Sequence, residues 1–261
     1  MNRVPITYSE FKDRRFVSPV SLLFAARDTI VPLGLSELGP ILMEMPLAFV
    51  QHKDVFLPVG VLGLGSEKNL FVSVAGRWTG QYLPAVYRSY PFSLHATDDG
   101  ERVLCIDRDS QKGEGSQGSP FFAVDGHPMA WIESVLQFLS DIDSDRKIAE
   151  RKCTQLQLMG LLEPLSVSVE SKGSLRQLRL NGLFSINQQS YLKLAPSEIR
   201  ELHNEGLLAL IHAQMLSLHQ FHRLSERAKT NALGSTNSIN LDMWESRDIT
   251  FDWIDRDDMR R

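Results

Sequence analysis

The stretch PFSLHATDDGERVLCID, Pro91–Asp107, decides the fold. Phe92–Ala96 and Arg102–Ile106 are short runs rich in apolar residues, with Asp98-Asp99-Gly100 between them. Glycine takes the positive φ that a tight reversal needs, so the whole reads as a β-hairpin. A hairpin joins antiparallel neighbours without a crossover helix. The same signature recurs on both sides. Upstream, Leu47–Val50 and Val55–Val59 are apolar runs bounded by turn residues, and Asn69–Val74 is a further expected strand ending at Ala75-Gly76. Downstream, Leu165–Glu170 and Leu175–Phe184 alternate with period two around Lys172-Gly173-Ser174, a second hairpin.

Helical periodicity lies elsewhere. Behind Pro128, the residues Trp131, Ile132, Val135, Leu136, Leu139 and Ile142 recur at helical spacing. Asp141, Asp143 and Asp145 mark an expected break, and a second helix is expected from there to Leu162, before Pro164. Pro196 opens helical sequence to about Arg227. Strands and helices cluster instead of alternating. The expected class is α+β, a mainly antiparallel β region with a C-terminal helical segment. Residues 1–39, punctuated by Pro5, Pro19 and Pro32, read as a poorly specified lead-in; 40–228 read as the α+β domain. Residues 229–261 read as an acidic, aromatic-containing tail, with seven acids and four arginines in the last twenty residues beside Trp244, Phe251 and Trp253. Such a tail is either a docking peptide ordered on a partner, or a segment that packs back on its own domain or frays.

Composition sets limits. The 261 residues are 43% hydrophobic with a net charge of −4, which suits a globular chain and supplies no basic stripe for nucleic acid. No apolar run approaches the ~20 residues of a membrane span. The start, MNRVPITYSEFKDRRFV, lacks the apolar core of a signal peptide, so a cytoplasmic location is expected. Cys105 and Cys153 sit in apolar segments and read as buried free thiols. The Gly-rich loop Asp109–Pro120 lacks the strand-glycine-helix context of a phosphate cradle.

The candidate chemistry gathers in NLFVSVAGRWTGQYLPAVYRSYPF, Asn69–Phe92. Trp78, Tyr82, Tyr87 and Tyr90 surround Arg77 and Arg88, and rigid rings beside guanidinium groups make a recognition surface. Arg88 is expected to pair with Asp107 inside the core; left open in a cleft, it would clamp an anion or a peptide C-terminus. The candidate binding set is therefore Trp78, Tyr82, Arg88, Tyr90 and Asp107. Histidines offer a rival. His212, His219 and His222 fall on one expected helix, His52 and Asp54 on one expected strand face, and His95 and Asp107 on neighbouring strands. Hydrogen-bonded histidines are the expected outcome, with no metal and no cofactor. Asp141, Asp143 and Asp145 open like a calcium loop, but Arg146 and Lys152 stand where its glycine and its last acid belong.

The block Trp78-x-x-x-Tyr82-x-Pro84-Ala85-x-x-Arg88-x-Tyr90-Pro91-Phe92 resembles the hallmark of the bacterial SapC family. Leu104-Cys105-Ile106-Asp107, Phe121-Phe122 with Asp125-Gly126, Gly160–Pro164, Leu180–Leu183, and Gly206–Leu224 resemble its other elements. The resemblance covers about residues 40–228 and brings no catalytic residues with it. It implies an accessory protein that binds a peptide or protein partner. The alternative is a metal-dependent or peptide-modifying enzyme with a His/Asp cleft.

Overall fold

The computed structural model describes residues 3–64, 68–96, 101–110, 118–171 and 174–233, with side chains described outside 168–179 and 231–233. Residues 3–40 are built into the body. Strands β1 (Arg3–Pro5) and β2 (Arg15–Phe16) flank the short helix α1 (Tyr8–Phe11), and β3 (Ile30–Pro32) follows. A 3₁₀ turn at Leu35–Glu37 then runs into α2 (Leu38–Leu42). These strands are two or three residues long and pair with distant partners, which leaves no local pattern to read.

Strands β4 (Leu47–His52) and β5 (Val55–Val61) form a hairpin that turns at Lys53, whose φ is 53°. Leu47 to Val50 are fully buried, because β4 lies in the middle of a sheet with the helix Leu207–Ser217 packed on it. Helix α3 (Ala85–Arg88) precedes β6 (Phe92–Ala96) and β7 (Arg102–Asp107), the hairpin expected from the sequence, whose turn residues 97–100 lie outside the described ones. After β8 (Ser119–Pro120) come α4 (Ala130–Leu158), β9 (Leu162–Ser171) and β10 (Ser174–Ile186). Helices α5 (Gln188–Leu192), α6 (Pro196–Asn204), α7 (Leu207–Ser217) and α8 (Gln220–Leu233) close the chain, α6 stopping at Gly206 in the left-handed region. This is the α+β arrangement expected. One sheet runs β3-β5-β4-β10-β9, a second β1-β7-β6, and β2 pairs with β8, all antiparallel.

Two expectations change. Asn69–Val74 is not a strand; it makes only an isolated bridge from Val72 to Trp78. Its amides reach four separate acceptors: Ala26 O from Asn69, Leu62 O from Leu70, the Asn69 side chain from Phe71, and Arg77 O from Ser73. The apolar run reflects burial of an irregular segment, not a ladder. The aspartates at 141–145 do not break the helix either, since α4 continues through them for 29 residues. Aspartate breaks helices by capturing local backbone groups. Here Asp143 is held by Arg102 and Lys147, and Asp145 accepts from the Leu35 and Ser36 amides and the Ser36 hydroxyl.

The long helix, about 44 Å at 1.5 Å per residue, joins two cores. Ile132 and Leu139 near its start pack with Phe11, Phe92, Leu104, Ile106 and Phe121 on the three-stranded sheet. Cys153 and Leu156 near its end belong to the larger core around the five-stranded sheet. Of the candidate residues, Trp78 and Tyr82 pack against the larger core, and Asp107 ends β7 of the three-stranded sheet.

Candidate functional site

Glu37 organises the aromatic block from below. It is 4% exposed, yet three donors meet its carboxylate. The Gly34 amide donates to Oε2 at 2.9 Å, and the Tyr82 hydroxyl and the Ala85 amide donate to Oε1 at 2.9 and 2.8 Å. The carboxylate thus fixes Tyr82 and receives the first amide of α3. Burial first, and then Glu37, push the Tyr82 hydroxyl up to about 12. Glu37 was not singled out from sequence, because its partners stand 45 and 48 residues away. The only local sign is a glycine three residues before a glutamate, the spacing of a reciprocal cap.

Arg88 closes α3 and is exposed. Its guanidinium donates to the Tyr82 hydroxyl at 3.1 Å and lies 5.5 Å from the Tyr82 ring centroid and 5.2 Å from that of Phe138. It does not pair with Asp107. Among the described residues, no carboxylate forms an ion pair with it. Arg88 lines a cavity of about 240 Å³ between α3, the 3₁₀ turn and α4. The other acids there are engaged: Asp145 as described, Asp141 by the Gln137 side chain.

Asp107 and Tyr90 line a different cavity, of about 220 Å³, where β3, β6 and α4 meet. Pro32, Val86, Ile142 and Arg146 line both cavities and so stand between the two halves of the expected pair. Asp107 is buried at the end of β7, opposite Arg3 in register, and accepts from the Asp109 amide at 3.2 Å. Burial, with Asp107 and Asp109 beside it, raises the Tyr90 hydroxyl above the ordinary tyrosine range. Phe24, Tyr87 and Asp28 share this cavity, and the Tyr87 hydroxyl donates to Asp28 at 2.9 Å.

Trp78 connects the regions without lining either cavity. Its ring, half-buried, stacks on Phe71 at 5.2 Å and meets Tyr87 edge-on at 5.9 Å; its indole N–H donates to Tyr82 O at 2.9 Å. Tyr87 in turn meets Phe24 edge-on at 5.8 Å, and Phe24 stacks on Tyr90 at 3.7 Å. At the other end the Arg227 guanidinium lies 4.4 Å from the Phe71 centroid. One column of five rings and a guanidinium neighbour thus runs from α8 to the second cavity. The peptide bond from Tyr90 to Pro91 is cis.

The histidine groupings are rearranged. His212 lies on α7, His219 in the break after it, and His222 on α8, all exposed, so no single helix presents them. His212 instead meets the Tyr191 hydroxyl at 2.9 Å. The turn at Lys53 separates His52 from Asp54, so the two share no strand face. His95 is hydrogen-bonded to Arg3 and Ser93, at 3.0 and 3.1 Å. Among the described residues no group of three or more His, Cys, Asp or Glu is placed to hold a metal ion. Cys105 and Cys153 are buried free thiols, and burial raises both.

In comparison with known proteins, the family model described as SapC aligns with residues 6–224. It takes in most of the first 39 residues, whose strands β1, β2 and β3 fall one in each of the three sheets. No curated protein and no solved structure matches the chain. No described helix is long and apolar enough to cross a membrane.

Proposed function

The chain belongs to the SapC family, and from that premise we propose that it is a cytoplasmic accessory protein that binds a peptide or protein partner through Arg88 and the surfaces beside it. One observation carries this reading. A guanidinium is held over two rings by Tyr82 and Phe138, and no described carboxylate pairs with it. An arginine so placed is pre-ordered, and its planar fork matches a carboxylate in two parallel hydrogen bonds. The adjoining cavity of about 240 Å³ admits the end of a peptide or one acidic side chain. Trp78, Tyr82 and Tyr90 hold the frame, and Asp107 sets the polarity of the neighbouring cavity.

The test uses an array of short peptides with free C-terminal carboxylates, each beside its amidated twin, titrated against the protein by calorimetry. The carboxylate forms that bind are expected to do so about tenfold more tightly than their amides, a difference of about 1.4 kcal/mol. Arg88→Lys keeps the charge but loses the fork, and is expected to erase that preference without lowering the melting temperature. Equal binding of acid and amide to the wild-type protein would sink the reading.

A further inference from the structure

A groove of about 880 Å³ along α8 shares no lining residue with the two cavities above. Its apolar part is Leu70 and Val72, both buried, with Met43 70% exposed at its edge. Its wall carries Arg223 and Arg227, four residues apart on one helix and therefore on one face. Arg223 donates from Nη1 to Met43 O at 2.9 Å, and Arg227 from Nη1 to the Thr79 hydroxyl at 3.0 Å. A guanidinium has five N–H donors, so each keeps donors for an anion. Among the described residues no carboxylate pairs with either. Of the two acids in the groove, Glu226 pairs with Lys229, and Glu44 accepts from the Gln81 amide through Oε1 while its Oε2 is buried without a hydrogen-bond partner. The groove therefore fits a segment that combines large apolar side chains with carboxylates.

The sequence holds such a segment just past the helix. DMWESRDITFDWID, residues 242–255, has five acids against one arginine, with Trp244, Phe251 and Trp253 among them. Glu245, Asp248, Asp252 and Asp255 recur at spacings of three and four, the spacing of the two arginines. Thr230 of α8 lines the groove, and α8 ends at Leu233. The residues between Leu233 and Asp242 span up to about 30 Å when extended, and so short a tether gives an effective concentration of the order of millimolar. We propose that residues 242–255 dock in this groove in cis, with their carboxylates on Arg223 and Arg227 and their rings over Leu70 and Val72. This holds whether or not Arg88 is a partner site.

The experiment is hydrogen exchange of the full chain followed by mass spectrometry. Amides of 242–255 are expected to exchange at least about tenfold more slowly than in the free synthetic peptide. The tail-side double variant Asp248→Lys, Asp252→Lys leaves every described contact intact and is expected to remove that protection. Arg223→Glu with Arg227→Glu should do the same, and all four changes together should restore it. Free-peptide rates in the wild-type chain would overturn the proposal. So would protection that survives the tail-side charge reversal, or that rises with protein concentration, which would assign the groove to a second copy.

Discussion

Glu37 and Tyr82 form a part-buried acid–phenol contact whose protonation matters at high pH. An unfolded tyrosine ionises near pH 10, whereas in the folded chain Tyr82 is raised to about 12. The folded state therefore favours the neutral phenol. Its contribution to stability is complete below pH about 10 and is lost as pH climbs through about 12. An ultraviolet titration should show a late phenolate that Glu37→Gln brings partly down, the remainder being burial. A Tyr82 transition unmoved by that change would deny the contact any role. Trp78 is the other sensitive residue. Its stacked ring should make Trp78→Ala cost about 3 kcal/mol, measured by denaturant unfolding, and an unchanged midpoint would show that the ring carries no packing. The aromatic block was legible as sequence, since rings and arginines at close spacing advertise themselves. Its organiser was not. Glu37 acts on residues far along the chain, and the Arg88–Asp107 pairing failed because two residues can both be charged and nearby yet point into separate cavities.

The element that joins the halves is α4, and Asp145 fastens it to the 3₁₀ turn at Leu35–Glu37. Three donors converge on that carboxylate. Asp145→Ala is expected to cost about 2 kcal/mol by leaving the Leu35 and Ser36 amides unsatisfied, with faster exchange at both. Asp141→Ala removes only a contact with Gln137 on the same helix and should stay within about 0.5 kcal/mol. Equal effects would mean that Asp145 is not the fastening. Gly34 reports the same closeness, because a Cβ there would collide with the Asp145 carboxylate. Hairpins β6–β7 and β9–β10 were legible because each pairs with its neighbour in sequence, and β4 and β5 were legible as strands. Strands β1 and β3 were not, because each finds its partner far downstream. A run of aspartates reads as a break when the sequence does not show that other elements satisfy them.

At the scale of the molecule, α4 lends residues to both cores, so neither core can melt without disturbing the other's helix. One cooperative transition is expected, with calorimetric and van't Hoff enthalpies equal. Ile132→Ala, in the smaller core, should cost about 3 kcal/mol and shift that single transition as a whole. A melt that splits in two would show that the cores are thermally independent. The three-stranded sheet also has a history in time. Strand β1 pairs with β7, about a hundred residues later. At a synthesis rate of roughly 5–20 residues per second, the ribosome makes β7 some 5–20 s after β1. Throughout that interval Arg3–Pro5 has no strand to join, so the nascent chain must hold its leading end unpaired, and the smaller sheet can close only once β7 has left the ribosome.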